Sequence, residues 1–81
     1  MTIDFYTRPG CHLCEDAKKV LDSMTKELSL PVLERNIDTS DEWTEKYGLM
    51  IPVVEIEGEV LAYGNIEPSA LFTKLKQIVN E

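Results

Sequence analysis

Cys11 and Cys14 are the two cysteines of an 81-residue chain, with His12 and Leu13 between them. A thiol pair at this spacing supports two chemistries, disulfide exchange and metal ligation. A bridge across so short a loop would constrain the unfolded chain little, so it is a poor structural staple. Just before the pair, Arg8-Pro9-Gly10 interrupts an alternating segment, and a helical period starts at Cys11. The pair therefore opens a helix. Unpaired backbone N–H groups and a partial positive charge collect there, and both favour a thiolate, the reactive form of cysteine. A three-residue step along a helical turn brings the two sulfurs within bonding reach, which predicts a Cys11–Cys14 disulfide in the oxidised state. Cys11 lies on the exposed turn and Cys14 one turn in. That asymmetry makes Cys11 the attacking thiol and Cys14 the one that resolves the mixed disulfide. His12 has two readings: as an imidazolium it would steady the thiolate, or it is an exposed helix-start residue. Glu15 and Asp16 suit the helix dipole but oppose a thiolate nearby. A closed zinc site needs four ligands. Two cysteines and one histidine do not supply them, so no metal is expected in a single chain.

The elements that hold the pair follow from the hydrophobic pattern. Thr2 to Thr7 alternates, with Ile3 and Phe5 on one face and Asp4 and Tyr6 on the other, as a strand does. From Cys11, an apolar stripe of Leu13, Ala17, Val20, Leu21, Met24 and Leu28 predicts an amphipathic helix of about four turns, limited by Pro31. Val32 to Ile37 reads as a second strand, imperfectly, because Arg35 sits between Leu33 and Ile37. Thr39-Ser40-Asp41-Glu42 has the form of a capping box with Thr39 as N-cap. It opens a short helix carrying Trp43 and Tyr47, which read as core residues, and ending at Gly48. Val53 to Ile56 and Val60 to Tyr63 flank Glu57-Gly58-Glu59 as an antiparallel hairpin. Glu67-Pro68 starts a last helix, with Leu71, Phe72, Leu75, Ile78 and Val79 as its stripe. The order β-α-β-α-β-β-α predicts one α/β domain over residues 1–81: a mixed four-stranded sheet with helices on both faces.

Composition narrows the partners. With 43% apolar and 28% charged residues the chain is globular, with enough for one modest core. The net charge of −7 repels phosphate backbones and anionic lipid headgroups, which argues against nucleic-acid and membrane association. No apolar run approaches the roughly 20 residues of a membrane span, and the first residues lack a signal-peptide pattern. The chain is expected to be a cytoplasmic monomer. In that compartment thiols are kept reduced, which again favours chemistry over a staple.

Thr7-Arg8-Pro9-Gly10-Cys11-His12-Leu13-Cys14, the strand before it and Ile51-Pro52 after it resemble the glutaredoxin branch of the thioredoxin-like superfamily. They resemble more narrowly the small bacterial glutaredoxin-like proteins with a Cys-x-Leu-Cys motif. The resemblance covers essentially the whole chain. It implies that Pro52 is cis and lies against the cysteine pair, leaving the backbone of Ile51 to pair with an incoming thiol peptide by strand addition. It also implies that Arg8 supports the thiolate and the carboxylate of glutathione; the alternative is a solvated loop cation. Gly64 matches one glycine of the Gly-Gly that glutaredoxins carry before the last helix, or is simply a turn residue. Tyr63 replaces the other glycine, and Ile66 stands where an acidic residue would bind the γ-glutamyl group. The function implied is a small thiol–disulfide oxidoreductase acting on protein or small-molecule disulfides. It would hold no tightly bound cofactor and would use glutathione as co-substrate. The alternatives are a redoxin reset by a thioredoxin reductase, a metal or iron–sulfur module, and a non-catalytic adaptor on the same fold.

Overall fold

The computed structural model describes residues 1–80. In chain order the elements are β1 (Ile3–Thr7), α1 (His12–Leu28), β2 (Val32–Asn36), a 3-10 turn (Ile37–Thr39), α2 (Asp41–Tyr47), β3 (Val53–Ile56), β4 (Glu59–Tyr63) and α3 (Pro68–Val79). The four strands form one mixed sheet in the order β2-β1-β3-β4. β1 runs parallel to β2, with Ile3 opposite Val32 and Thr7 opposite Asn36, and antiparallel to β3.

Strand alternation divides the core between the two faces of the sheet. Ile3, Phe5, Val54 and Ile56 pack with Leu21 and Met24 of α1 and with Leu71 and Leu75 of α3. Tyr6 and Val53 face the other way, onto Ile37 and Tyr47, with Trp43 against them. The helices therefore cover both faces. β3 is central and covered on both sides, so all four of its residues are buried, Glu55 among them.

α1 ends where Ser29 turns left-handed (φ 57°) and Leu30 N–H donates 2.9 Å to the Thr25 carbonyl. In α3, Pro68 takes the first turn and the Glu67 carboxylate accepts from Ser69 and Ala70 N–H. The β3–β4 turn is two residues long. Ile56 pairs with Glu59, and Glu57 and Gly58 carry φ of 50° and 83°, as a type I′ turn demands.

Three local expectations are corrected. β2 stops at Asn36 because Ile37–Thr39 winds into the 3-10 turn, burying Ile37. Thr39 is spent in that turn, its hydroxyl donating 2.7 Å to the Asn36 carbonyl, so the N-cap of α2 is Ser40, which accepts from Trp43 N–H. The irregular pattern of β2 reflects its place at the sheet edge, where Leu33 is exposed and Arg35 pairs with Asp4 at 2.9 Å. Leu13 and Val79, at the ends of their helices, leave their stripes and are 49% and 38% exposed.

Candidate functional site

The loop from β1 to α1 sets the cysteines. Gly10 takes φ 80°, which an L side chain resists, and Cys11 N–H turns back onto the Arg8 carbonyl at 3.4 Å. Cys11 then has extended backbone (φ −93°, ψ 111°) and is itself the N-cap of α1: its sulfur accepts from Cys14 N–H at 3.2 Å. A thiolate there would be held by a hydrogen bond and by the positive end of the helix dipole. Both cysteines are unpaired; Cys11 is half-buried and Cys14 is only 4% exposed. The Cys14 thiol has its pKa pushed up to about 12, first by burial and then by the Cys11 sulfur beside it, with the Arg8 backbone pulling the other way.

Around Cys14 lies a cleft of about 420 Å³, lined by Thr7, Arg8, Gly10, Glu15, Lys18 and Glu34 among others. Its charges are already engaged. Arg8 Nε donates 2.8 Å to Asp38 Oδ1. Lys18 Nζ is 3.0 Å from one oxygen of Glu34, and the Thr7 hydroxyl donates 3.2 Å to the other. His12 projects into solvent, 96% exposed, 3.8 Å from Glu15.

The Ile51–Pro52 bond is cis and the Pro52 side chain is fully buried. Gly64 N–H donates 2.9 Å to both the Met50 and the Pro52 carbonyls, so the β4–α3 loop is tied to the proline loop. Gly64 and Ile66 also line a shallow cleft with Leu13 and Ala17 of α1. The start of α1 thus meets the β4–α3 loop, whose Gly64 is bonded to the proline loop. Of the residues singled out by sequence, Arg8 and Cys11 on the β1–α1 loop adjoin His12 and Cys14 in the first turn of α1, while Ile51, Pro52 and Gly64 form a second group.

Glu34, Lys18, Thr7 and Asp38 were not singled out. Lys18 could have been, since it stands four residues after Cys14 on the same helix face. Glu34 reaches the cleft only through the β1–β2 register, and Asp38 reaches Arg8 from the 3-10 turn; no local motif announces either.

A four-stranded mixed sheet in this order, with the cysteine pair capping the first helix, is a thioredoxin-like fold. The structure superimposes on thioredoxin 1 of Thermosipho africanus with a TM-score of 0.76 at 12% identity, over 99% of this chain and 96% of that one. It superimposes on a structural-genomics target protein from X. campestris with a TM-score of 0.79 at 25% identity, over 93% of this chain and 96% of that one. A glutaredoxin-like protein of Dictyostelium discoideum is 24% identical over an alignment of 87 positions, spanning 100% of this chain and 81% of that protein. The family model described as "Glutaredoxin-like domain (DUF836)" matches residues 2–76, and the chain belongs to that family.

Proposed function

We propose that the protein is a thiol–disulfide oxidoreductase that exchanges two electrons through Cys11 and Cys14. The observation that carries this reading is the asymmetry of the pair: a half-buried Cys11 sulfur seated on the helix N-terminus, backed by a shielded Cys14 thiol. Cys11 attacks a substrate disulfide and forms a mixed disulfide. Cys14 then displaces the reduced product and closes the Cys11–Cys14 bridge, which an external donor reopens. Ile51 and Pro52 present the backbone against which a substrate peptide lies, and Gly64 holds that loop. His12 has a minor influence at most, because solvent surrounds it.

The donor is the finer question. Arg8 is the cation next to the pair, and it is already bonded to Asp38, so the carboxylate of glutathione must compete for it. Ile66 offers no acceptor for the γ-glutamyl ammonium. Glutathione is therefore a weak donor, and a thioredoxin-reductase system is the second reading these two residues favour.

The test is reduction of a model disulfide with glutathione and with a thioredoxin reductase, run side by side. Cys11→Ser abolishes turnover with either donor, and Cys14→Ser accumulates the mixed disulfide. Trapping by Cys11→Ser instead would reverse the roles. No turnover with either donor, together with about half a zinc per chain or a visible chromophore, would replace the oxidoreductase by a metal-binding module.

A further inference from the structure

The cleft beside Cys14 contains a carboxylate that the exchange scheme leaves unused. Resolution requires Cys14 to become a nucleophile, and its thiol is poorly suited to ionise. Burial is the first cause of its raised pKa and persists when Cys11 carries substrate. A shielded thiol of this kind stays protonated at neutral pH. Some group must take its proton as the new bond forms.

Four charged side chains line this cleft: Arg8, Glu15, Lys18 and Glu34. The two cations cannot accept a proton. Glu15 extends outward, 65% exposed, toward His12. Glu34 is held by groups on two other elements: Thr7 of β1 on one oxygen and Lys18 of α1 on the other. Each of these oxygens keeps lone-pair capacity after that contact. Lys18 lies one turn beyond Cys14 on α1, so its ammonium fixes the carboxylate over the face that carries the thiol. Cys14 and Glu34 line the same cleft, which is large enough to admit water.

We propose that Glu34 is the proton acceptor for Cys14 in the resolving step, held in position by Thr7 and Lys18. This rests on the dithiol mechanism proposed above. The Cys14 sulfur bonds to the Cys11 sulfur while its proton passes to the Glu34 carboxylate. The bond from Cys11 to the substrate sulfur breaks, and that sulfur leaves with the electron pair as a thiolate. The two cysteines are oxidised and the substrate disulfide is reduced. The Glu34 side chain is 44% exposed, so it returns the proton to solvent.

A bare negative charge near Cys14 would have the opposite effect, because it disfavours the thiolate. Removing Glu34 therefore separates the two roles by sign. The experiment mixes the reduced protein with Ellman's reagent and follows the two successive releases of thionitrobenzoate. The first release is the attack of Cys11; the second is resolution by Cys14. Glu34→Gln slows the second release by about a hundredfold, and the first release reports that the fold and Cys11 are intact. In the wild type the second release is nearly flat across neutral pH. In Glu34→Gln it climbs about tenfold per pH unit, following the rare thiolate. A second release that is unchanged or faster in Glu34→Gln overturns the proposal, and so does slowing by Glu15→Gln instead. If the variant does not fold, the wild-type profile decides: a tenfold climb per pH unit excludes a proton acceptor. A wild type with no second release refutes the dithiol mechanism itself, which is a different failure.

Discussion

The residues least visible to motif reading are the buried polar ones on the face opposite the cysteines. Tyr6 stacks on Tyr47 with ring centroids 4.2 Å apart, and Trp43 meets Tyr6 edge-on at 5.5 Å. The Tyr47 hydroxyl donates to Glu55, which is 4% exposed within the central strand. Without that phenol, Glu55 would be a buried carboxylate with no partner, a costly state. Burial is the largest cause of a raised pKa in both tyrosines, about 12 each, with Tyr47 adding to the shift of Tyr6 and Glu55 to that of Tyr47. A raised pKa favours the phenol in the folded state. Its contribution to stability is complete below about pH 10, where unfolded tyrosine titrates, and is lost as pH rises through about 12. Denaturant melts at pH 8 and pH 11, read with phenolate absorbance, should show the midpoint falling while two tyrosines resist ionisation until unfolding. Normal titration of all the tyrosines in the native protein would refute this. Alternation told that Val53 and Glu55 share a face, but not that Tyr47, eight positions earlier, would bring a donor to it.

At the scale of elements, every strand and α-helix, though not the 3-10 turn, was legible in the sequence, because apolar spacing changes from two to three-or-four and back at Pro and Gly breaks. What could not be read was which of two adjacent hydroxyls caps α2. Thr39 and Ser40 each precede an acidic first turn. The choice falls to the 3-10 turn, which occupies Thr39 so that Ile37 is buried. Ser40→Ala should therefore cost about 1 kcal/mol in urea denaturation, as loss of an N-cap does. Thr39→Ala, which leaves the α2 cap in place, should cost less. The reverse ranking would restore Thr39 as the cap. The group Ile51, Pro52 and Gly64 was legible only through a family resemblance: the Ile-Pro dipeptide alone does not announce a cis bond. The cleft residue Glu34 depended on strand register, and Asp38, the partner of Arg8, on the 3-10 turn; neither was legible.

For the whole molecule, the net charge of −7 governs encounter with an anionic donor. Glutathione turnover should rise with added salt as repulsion is screened over a Debye length of about 10 Å at 0.1 M. The engaged Arg8 adds little opposing pull, since it already faces Asp38. Initial rates at two ionic strengths test this. A rate that falls with salt would mean that Arg8 attracts the donor more strongly than the rest of the surface repels it. No helix among the described residues is long and apolar enough to cross a membrane.

The covering of Cys14 also makes it a reporter of how the domain opens. With Cys11 replaced by serine, the remaining thiol is reached by an alkylating reagent only when the chain around it parts. Its labelling by iodoacetamide is then gated by an opening equilibrium, like a slowly exchanging amide, and measures the free energy of that opening. Low concentrations of denaturant distinguish two cases. If labelling accelerates with the slope of global unfolding, the β1–α1 loop and the first turn of α1 are held to the limit of the fold. If it is insensitive to denaturant, the helix frays locally at Cys14. The engagement of Thr7, Lys18 and Glu34 across three elements predicts the first outcome. Labelling at the rate of an unfolded peptide would show that the thiol is not covered.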